Sequence, residues 1–263
     1  MNKLIVILAT FMCCAWARCE AGAPSSDVHT LLQQAVDGDW RSDANKARDQ
    51  YRHPTETLEF FGLKPDMTVV EIAPGGGWFT EILAPVLRDN GLLIAATGKL
   101  DGDYAKKLAG NSAVFGKVKL LQWMPPEHVS MGADGSVDMV LTFRNLHDWL
   151  NVSAGELDGI FQAAFRALKP GGILGIEEHR ARPYMDAEQS SKALHRIPEG
   201  YVIALALKNG FELAGISQLN ANPKDDESLN VHDLLPELGG GNESLRAIGE
   251  SDRMTLKFVK PLQ

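Results

Sequence analysis

Cysteine is nearly missing from this chain: the three present, Cys13, Cys14 and Cys19, all fall within its first 19 residues. A body without cysteine excludes a disulfide framework, a thiolate nucleophile and a cysteine-ligated zinc. It also suits an oxidising compartment. Basic charge is short as well, with 26 Lys+Arg against 34 Asp+Glu and a net charge of -8. A nucleic-acid partner needs a basic face, so none is expected. No internal repeat is present, and no Gly-Lys-Ser/Thr follows the glycine-rich turn described below, which excludes a phosphate loop.

The apolar run at residues 4–17 follows Lys3 and precedes the small-x-small sequences Ala15-Trp16-Ala17 and Ala21-Gly22-Ala23. It is too short for a comfortable transmembrane span and reads as a secretory leader over residues 1–23. Arg18 beside Cys19 fits a lipid-attachment box poorly. Export to the periplasm or medium, with no stable membrane insertion after cleavage, is therefore expected.

What is plentiful is apolar content, 44% over 263 residues, together with 25 glycines. This suits one α/β domain with a sizeable core. Residues 24–53 read as a helical or extended arm, and residues 54–61 as a helix stopped by Gly62. Strand and helix patterns then alternate, the mark of a parallel sheet with crossover helices. Strands are expected at 68–72, 92–97, 118–122, 137–143, 173–177, 211–219 and 254–259. Helices are expected at 78–88, bent or cut short by Pro85, at 154–168 and at 199–209. Residues 220–252, with the run Gly239–Gly241, read as a mobile surface loop.

Three segments carry chemistry. In Val69-Val70-Glu71-Ile72-Ala73-Pro74-Gly75-Gly76-Gly77-Trp78-Phe79-Thr80-Glu81 an apolar strand ends on one carboxylate and passes through glycines into a helix. Glycine has no Cβ to hold a ligand away from the backbone. Such a turn leaves the carboxyl end of a strand, where open α/β sheets bind ligands. A plain tight turn is the bland alternative, and a dinucleotide fingerprint is disfavoured because Trp78-Phe79-Thr80 stands where its third glycine belongs. The second segment, Val137 to Trp149, is a strand followed by Asn145, His147, Asp148 and Trp149. His147 is a candidate general base, or else a helix-capping residue. The third, Leu168-Lys169-Pro170-Gly171-Gly172, reads as a helix stop and sharp turn into a strand. That strand runs into Glu177-Glu178-His179, candidate substrate contacts. His195-Arg196 reads as an ordinary helix entry or a lid.

In order and spacing these segments resemble the class I S-adenosylmethionine (SAM) dependent methyltransferases, and more narrowly a group of exported bacterial methyltransferases. The resemblance covers roughly residues 55–259. It implies a Rossmann-like seven-stranded mostly parallel sheet with helices on both faces and a C-terminal antiparallel strand pair, occupying residues 54–263. It implies SAM as cofactor, held by Glu71, Ala73, Gly75, Gly76, Gly77, Asp101, Trp123 and Asn145, and a small acceptor. His147, Asp148 and His179 are the expected catalytic residues, and no metal site is expected.

Two departures stand out. Ala73 and Pro74 replace part of the family's glycine pattern. The second strand lacks the terminal acidic residue that grips the ribose hydroxyls; Asp101 or Asp103 would have to reach in from the loop. Loss of that grip costs one to a few kcal/mol, about the worth of hydrogen bonds to a charged group. Trp123 either stacks on adenine or packs as core. SAM does not cross a membrane unaided, so a secreted, non-catalytic binding protein on the same scaffold is the alternative function. A different nucleotide-using enzyme is a third.

Overall fold

The computed structural model describes residues 26–234 and 242–262. The expected leader at residues 1–23, with the three cysteines, and the Gly239–Gly241 run lie outside the described residues. Among the described residues, no helix is long and apolar enough to cross a membrane.

The strands are β1 (Thr68–Ile72), β2 (Leu92–Thr97), β3 (Lys119–Gln122), β4 (Val137–Phe143), β5 (Leu168–Ala181), β6 (Ile197–Pro198), β7 (Glu212–Ser217) and β8 (Arg253–Val259). Their order is β3-β2-β1-β4-β5-β8-β7, with the two-residue β6 pairing with the end of β5. Pairs from β3 through β5 are parallel, and β8 runs antiparallel to both β5 and β7. The expected seven-stranded Rossmann-like sheet with its antiparallel pair is thus the observed architecture, β6 being the addition. Order reverses between β1 and β4, so the chain opens a crevice at their carboxyl ends.

Strand alternation feeds two cores. Val70 and Ile72 join one cluster with Leu157, Ile160, Phe161 and Val202. Val69 joins the other, with Leu58, Phe61, Phe79 and Ile82. Val28, Leu32 and Ala35 of the arm helix Ser26–Val36 belong to this second cluster, so the arm is packed onto the domain.

Several expected boundaries moved for physical reasons. The helix after the glycine turn runs Thr80–Leu87, starting two residues late, and contains Pro85. Proline has no N–H for the carbonyl four residues back. That carbonyl is Glu81, and the indole Nε1 of Trp40 donates to it at 2.8 Å. The helix Ala154–Ala167 is capped by Ser153, whose Oγ accepts the Glu156 N–H at 3.0 Å in a Ser-x-x-Glu box. The expected turn at 169–172 lies within β5 instead. The register slips between Val137↔Leu168 and Met139↔Ile173, and Gly171 takes φ 78°. Its N–H donates to the Lys260 carbonyl, so the bulge stays paired with the chain beyond β8.

Candidate functional site

β1 ends in the crevice, and the turn after it is held open by backbone geometry. Ala73, Gly75 and Gly77 have φ of 47°, 57° and 79°. A left-handed alanine is strained, and the Ala73 N–H is fixed by the Ala96 carbonyl at 2.9 Å. Arg144, just past β4, is also left-handed at φ 61° and donates its N–H to the Glu177 carbonyl at 2.7 Å. Strained non-glycine residues on adjacent strand ends facing one cleft are a mark of a functional site.

The three glycines do different jobs. A Cβ on Gly75 or Gly76 would meet nothing within 4 Å, whereas on Gly77 it would lie 2.8 Å from the Tyr104 ring. Gly75 and Gly76 therefore offer bare backbone to the cleft, and Gly77 makes room for Tyr104. Glu71 is buried beneath the turn, where its Oε2 accepts from Thr80 Oγ1 at 2.6 Å. Burial pushes its carboxyl up to about 7. Asn145 Nδ2 donates to the Ile72 carbonyl at 3.1 Å and is near the Ala73 carbonyl at 3.4 Å, tying the ends of β1 and β4 together.

A cleft of about 370 Å³ opens above the turn. Ala73, Pro74, Gly75, Gly76 and Trp78 form one wall, so Pro74 and Trp78 border the cleft. Arg144, His147 and Asp148 form a second wall, and His179 a third. Asn45, Arg48 and Arg52 come from the arm, and Val231 and His232 from the insert.

The expected catalytic residues are brought together. His147 is buried, with Nδ1 2.8 Å from Glu178 Oε1 and Nε2 3.5 Å from Asp148 Oδ1. Glu178 is fully buried and also accepts the N–H of Leu146 at 2.6 Å and of His179 at 2.7 Å. These bonds hold its carboxyl group aimed at His147. The His179 ring lies 5.3 Å from that of His147, and its Nδ1 is 2.6 Å from Ser251 Oγ. Burial, then the neighbouring His147, holds His179 well below the usual histidine range, so its ring is neutral. Asp148 stands exposed at the mouth.

Two expected cofactor residues lie elsewhere. Asp101 is exposed on the loop after β2 and is not part of the cleft wall. Trp123 is buried in the core, edge-on to Trp149 at 5.1 Å. Of its two sequence readings, the packed one is observed. His195 caps the exit of the helix Ala187–Leu194, while Arg196 is buried in an ion pair with Asp225 at 2.8 Å that pins the insert. Arg196 is thus an anchor, not a lid.

Sequence reasoning missed the arm arginines and their partners. Arg48 and Arg52 reach Glu250 at 2.5 and 3.0 Å, and Arg253 reaches it at 2.6 Å. Arg253 and Arg144 reach Glu177 at 2.7 and 3.2 Å. Four guanidinium groups share two carboxylates, and Arg48 Nη2 is buried without a hydrogen-bond partner. Burial and then Arg144 push Arg52 down to about 9 despite Glu250. The spacing Asn45, Arg48, Arg52 places them along one side of the arm, but nothing local marks that side as inward.

No protein-family model matches the chain, and no curated protein matches it in sequence. Solved structures do match in fold. A SAM-dependent methyltransferase from Aquifex aeolicus is 15% identical, covers 88% of this chain and 98% of its own, and has a TM-score of 0.56. The [4+2]-cyclase SpnF is 18% identical, with 90% and 94% covered and a TM-score of 0.58. A SAM-dependent methyltransferase from Methanosarcina mazei is 15% identical, with 78% and 97% covered and a TM-score of 0.52. At these identities the likeness shows the class I methyltransferase fold.

Proposed function

We propose that this protein transfers a methyl group from SAM to a small acceptor bearing a carboxylate or similar anion. The observation that carries the reading is the joining, in one cleft, of the open Gly75–Gly76 backbone with a carboxylate-oriented histidine, His147. Residues of this chain fit the amino-acid half of SAM: bare backbone at Gly75 and Gly76, the Ala73 turn, and the carboxylate of Glu71 below it. Among the described residues, no carboxylate ends β2 to grip the ribose, which favours modest affinity. When bound, SAM supplies a methyl group on a sulfonium.

The protein's own part is alignment and one proton. Glu178 fixes the proton of His147 on Nδ1, which makes Nε2 the basic nitrogen at the cleft wall. His147 then accepts a proton at Nε2 from the attacking oxygen or nitrogen of the acceptor. Arg48, Arg52 and Arg144 orient an anionic group on the acceptor, with the unpartnered Nη2 of Arg48 as the clearest donor. Trp78, over which the Arg52 guanidinium lies at 4.7 Å, closes the wall and excludes water.

A secretory leader at residues 1–23 would put this work outside the cytoplasm, where SAM would have to be delivered. That requirement and the exposed Asp101 favour the second reading, a binding protein without turnover. The structural neighbour SpnF, a [4+2]-cyclase, illustrates that the scaffold also serves other chemistry. Incubation of residues 24–263 with labelled SAM and a panel of small carboxylates decides between them. Label transfer that is lost in His147→Ala supports the enzyme. Tight binding of SAM or another metabolite with no transfer supports the second reading.

A further inference from the structure

Four of the seven histidines form a chain of rings that the methyl-transfer reading uses only in part. His179, His147, His195 and His232 follow one another at centroid distances of 5.3, 5.3 and 4.3 Å. Within this chain His147, Asp148 and His195 each place one ligand atom within 4.8 Å of the other two. From this geometry we infer that His147, Asp148 and His195 form a binding site for a divalent transition-metal ion of the zinc type.

Independent observations converge on this triad. His195 Nδ1 is buried and makes no hydrogen bond, an uncompensated polar atom on one residue of the triad. His195 closes the helix Ala187–Leu194 with left-handed backbone at φ 58°, and its ring stands edge-on to that of His147. Outer contacts are those of a metal site. The Nδ1 of His147 is held by the buried carboxylate of Glu178, which fixes the tautomer and leaves Nε2, 3.5 Å from Asp148 Oδ1, to coordinate. Ser191 Oγ lies 2.8 Å from both the His147 carbonyl and Asn151 Oδ1, locking the helix that bears His195 to the one that bears His147 and Asp148. The site is thus built before any ion arrives.

Glu178 also belongs to a second cluster, with His147 and His179. Its oxygens already accept two backbone N–H groups and the His147 ring, so it acts as an orienting group and not as a ligand. Two imidazoles and one carboxylate suit zinc, iron(II), cobalt(II) or nickel(II) better than magnesium or calcium, which prefer an all-oxygen shell. Three protein ligands leave a coordination position toward the cleft that His147 and Asp148 line. That position would take an oxygen of the acceptor and promote loss of its proton, the task otherwise given to Nε2. The ion's chemical role rests on the methyl-transfer reading; its binding does not.

Calorimetric titration of chelator-treated protein with Zn²⁺ tests the site, and Co²⁺ absorption reads its geometry. One ion per chain is expected, with visible Co²⁺ ligand-field bands. Asp148→Asn, an exposed position whose change leaves the fold intact, should weaken binding about tenfold or more and alter the bands, and so should His195→Gln. His128→Gln, at an exposed histidine outside the cluster, should bind as the wild type does. Absence of saturable binding to the wild type, or equal affinity in the Asp148 and His195 variants, overturns the proposal. Ion binding without methyl transfer to any acceptor leaves the site standing and removes the methyl-transfer reading alone.

Discussion

Glu71 sets the pH response of the turn. Its carboxyl moves from an ordinary value of 4.5 to about 7 because burial disfavours the charge, against the opposing hydrogen bond from Thr80. The native state therefore holds this proton more tightly than the unfolded chain. Its contribution is fully present below about pH 4.5 and is lost as pH rises through about 7, a change on the order of 3 kcal/mol. Glu71→Gln keeps an acceptor for Thr80 and removes the titration. Urea midpoints at about pH 5 and pH 8 should fall between the two for the wild type and stay closer together for the variant; equal slopes would refute the assignment. At His147 the same scale gives a kinetic expectation. His147→Gln should lower turnover by about 10²–10⁴-fold with cofactor affinity retained, as for loss of a general base or its metal-bound equivalent. Unchanged turnover removes His147 from the chemistry.

Elements show where the sequence is legible and where it stops. The order of strands and helices follows from period and glycine placement, and Leu157, Ile160, Phe161 and Ala164 face the core as their spacing requires. The Lys169–Gly172 stretch misled because proline and glycine mark a reversal locally, while pairing with β4 on one side and with Lys260 on the other carries the chain through as a bulge in β5. Pro85 reads as a helix breaker, yet the partner that makes it tolerable is Trp40, far away in the arm. Trp40→Phe retains most of the packing and strips the donor from the Glu81 carbonyl. It should cost about 1–3 kcal/mol, measured by denaturant unfolding, and a loss near zero would mean that water serves the carbonyl equally well.

Across the whole molecule the glycine turn, Asn145, His147 and His179 could be singled out from their own neighbourhoods, because the first three lie just past a recognisable strand and His179 lies in the last residues of one. The arginine wall could not. Arg48 and Arg52 meet Glu250 about two hundred positions away, and Arg144 meets Glu177 and thereby Arg253. His195 and His232 likewise approach His147 only through tertiary packing. Glu250 is the hub: burial alone would raise its carboxyl, but Arg253, Arg52 and Arg48 hold it well below the usual carboxylate range. Its stabilising share is present at neutral pH and lost as pH falls through the acid range. Glu250→Gln leaves buried guanidinium groups without their counter-charge and should destabilise the protein by about 3–5 kcal/mol, exposing the arm to protease. A wild-type unfolding midpoint in that variant would show that the arm is held by its apolar face alone.

Ligand access to the bare backbone at Gly76 is the claim on which the methyl-transfer account stands, and it can be separated from folding. A side chain there meets open space and requires no left-handed backbone, so Gly76→Leu should fold with an unchanged melting temperature. Calorimetric titration of S-adenosylhomocysteine into wild type and variant is the direct test. Saturable binding to the wild type should fall at least about tenfold in the variant, as a leucine side chain fills the space the ligand needs. Equal binding to both, or none to the wild type, would contradict it.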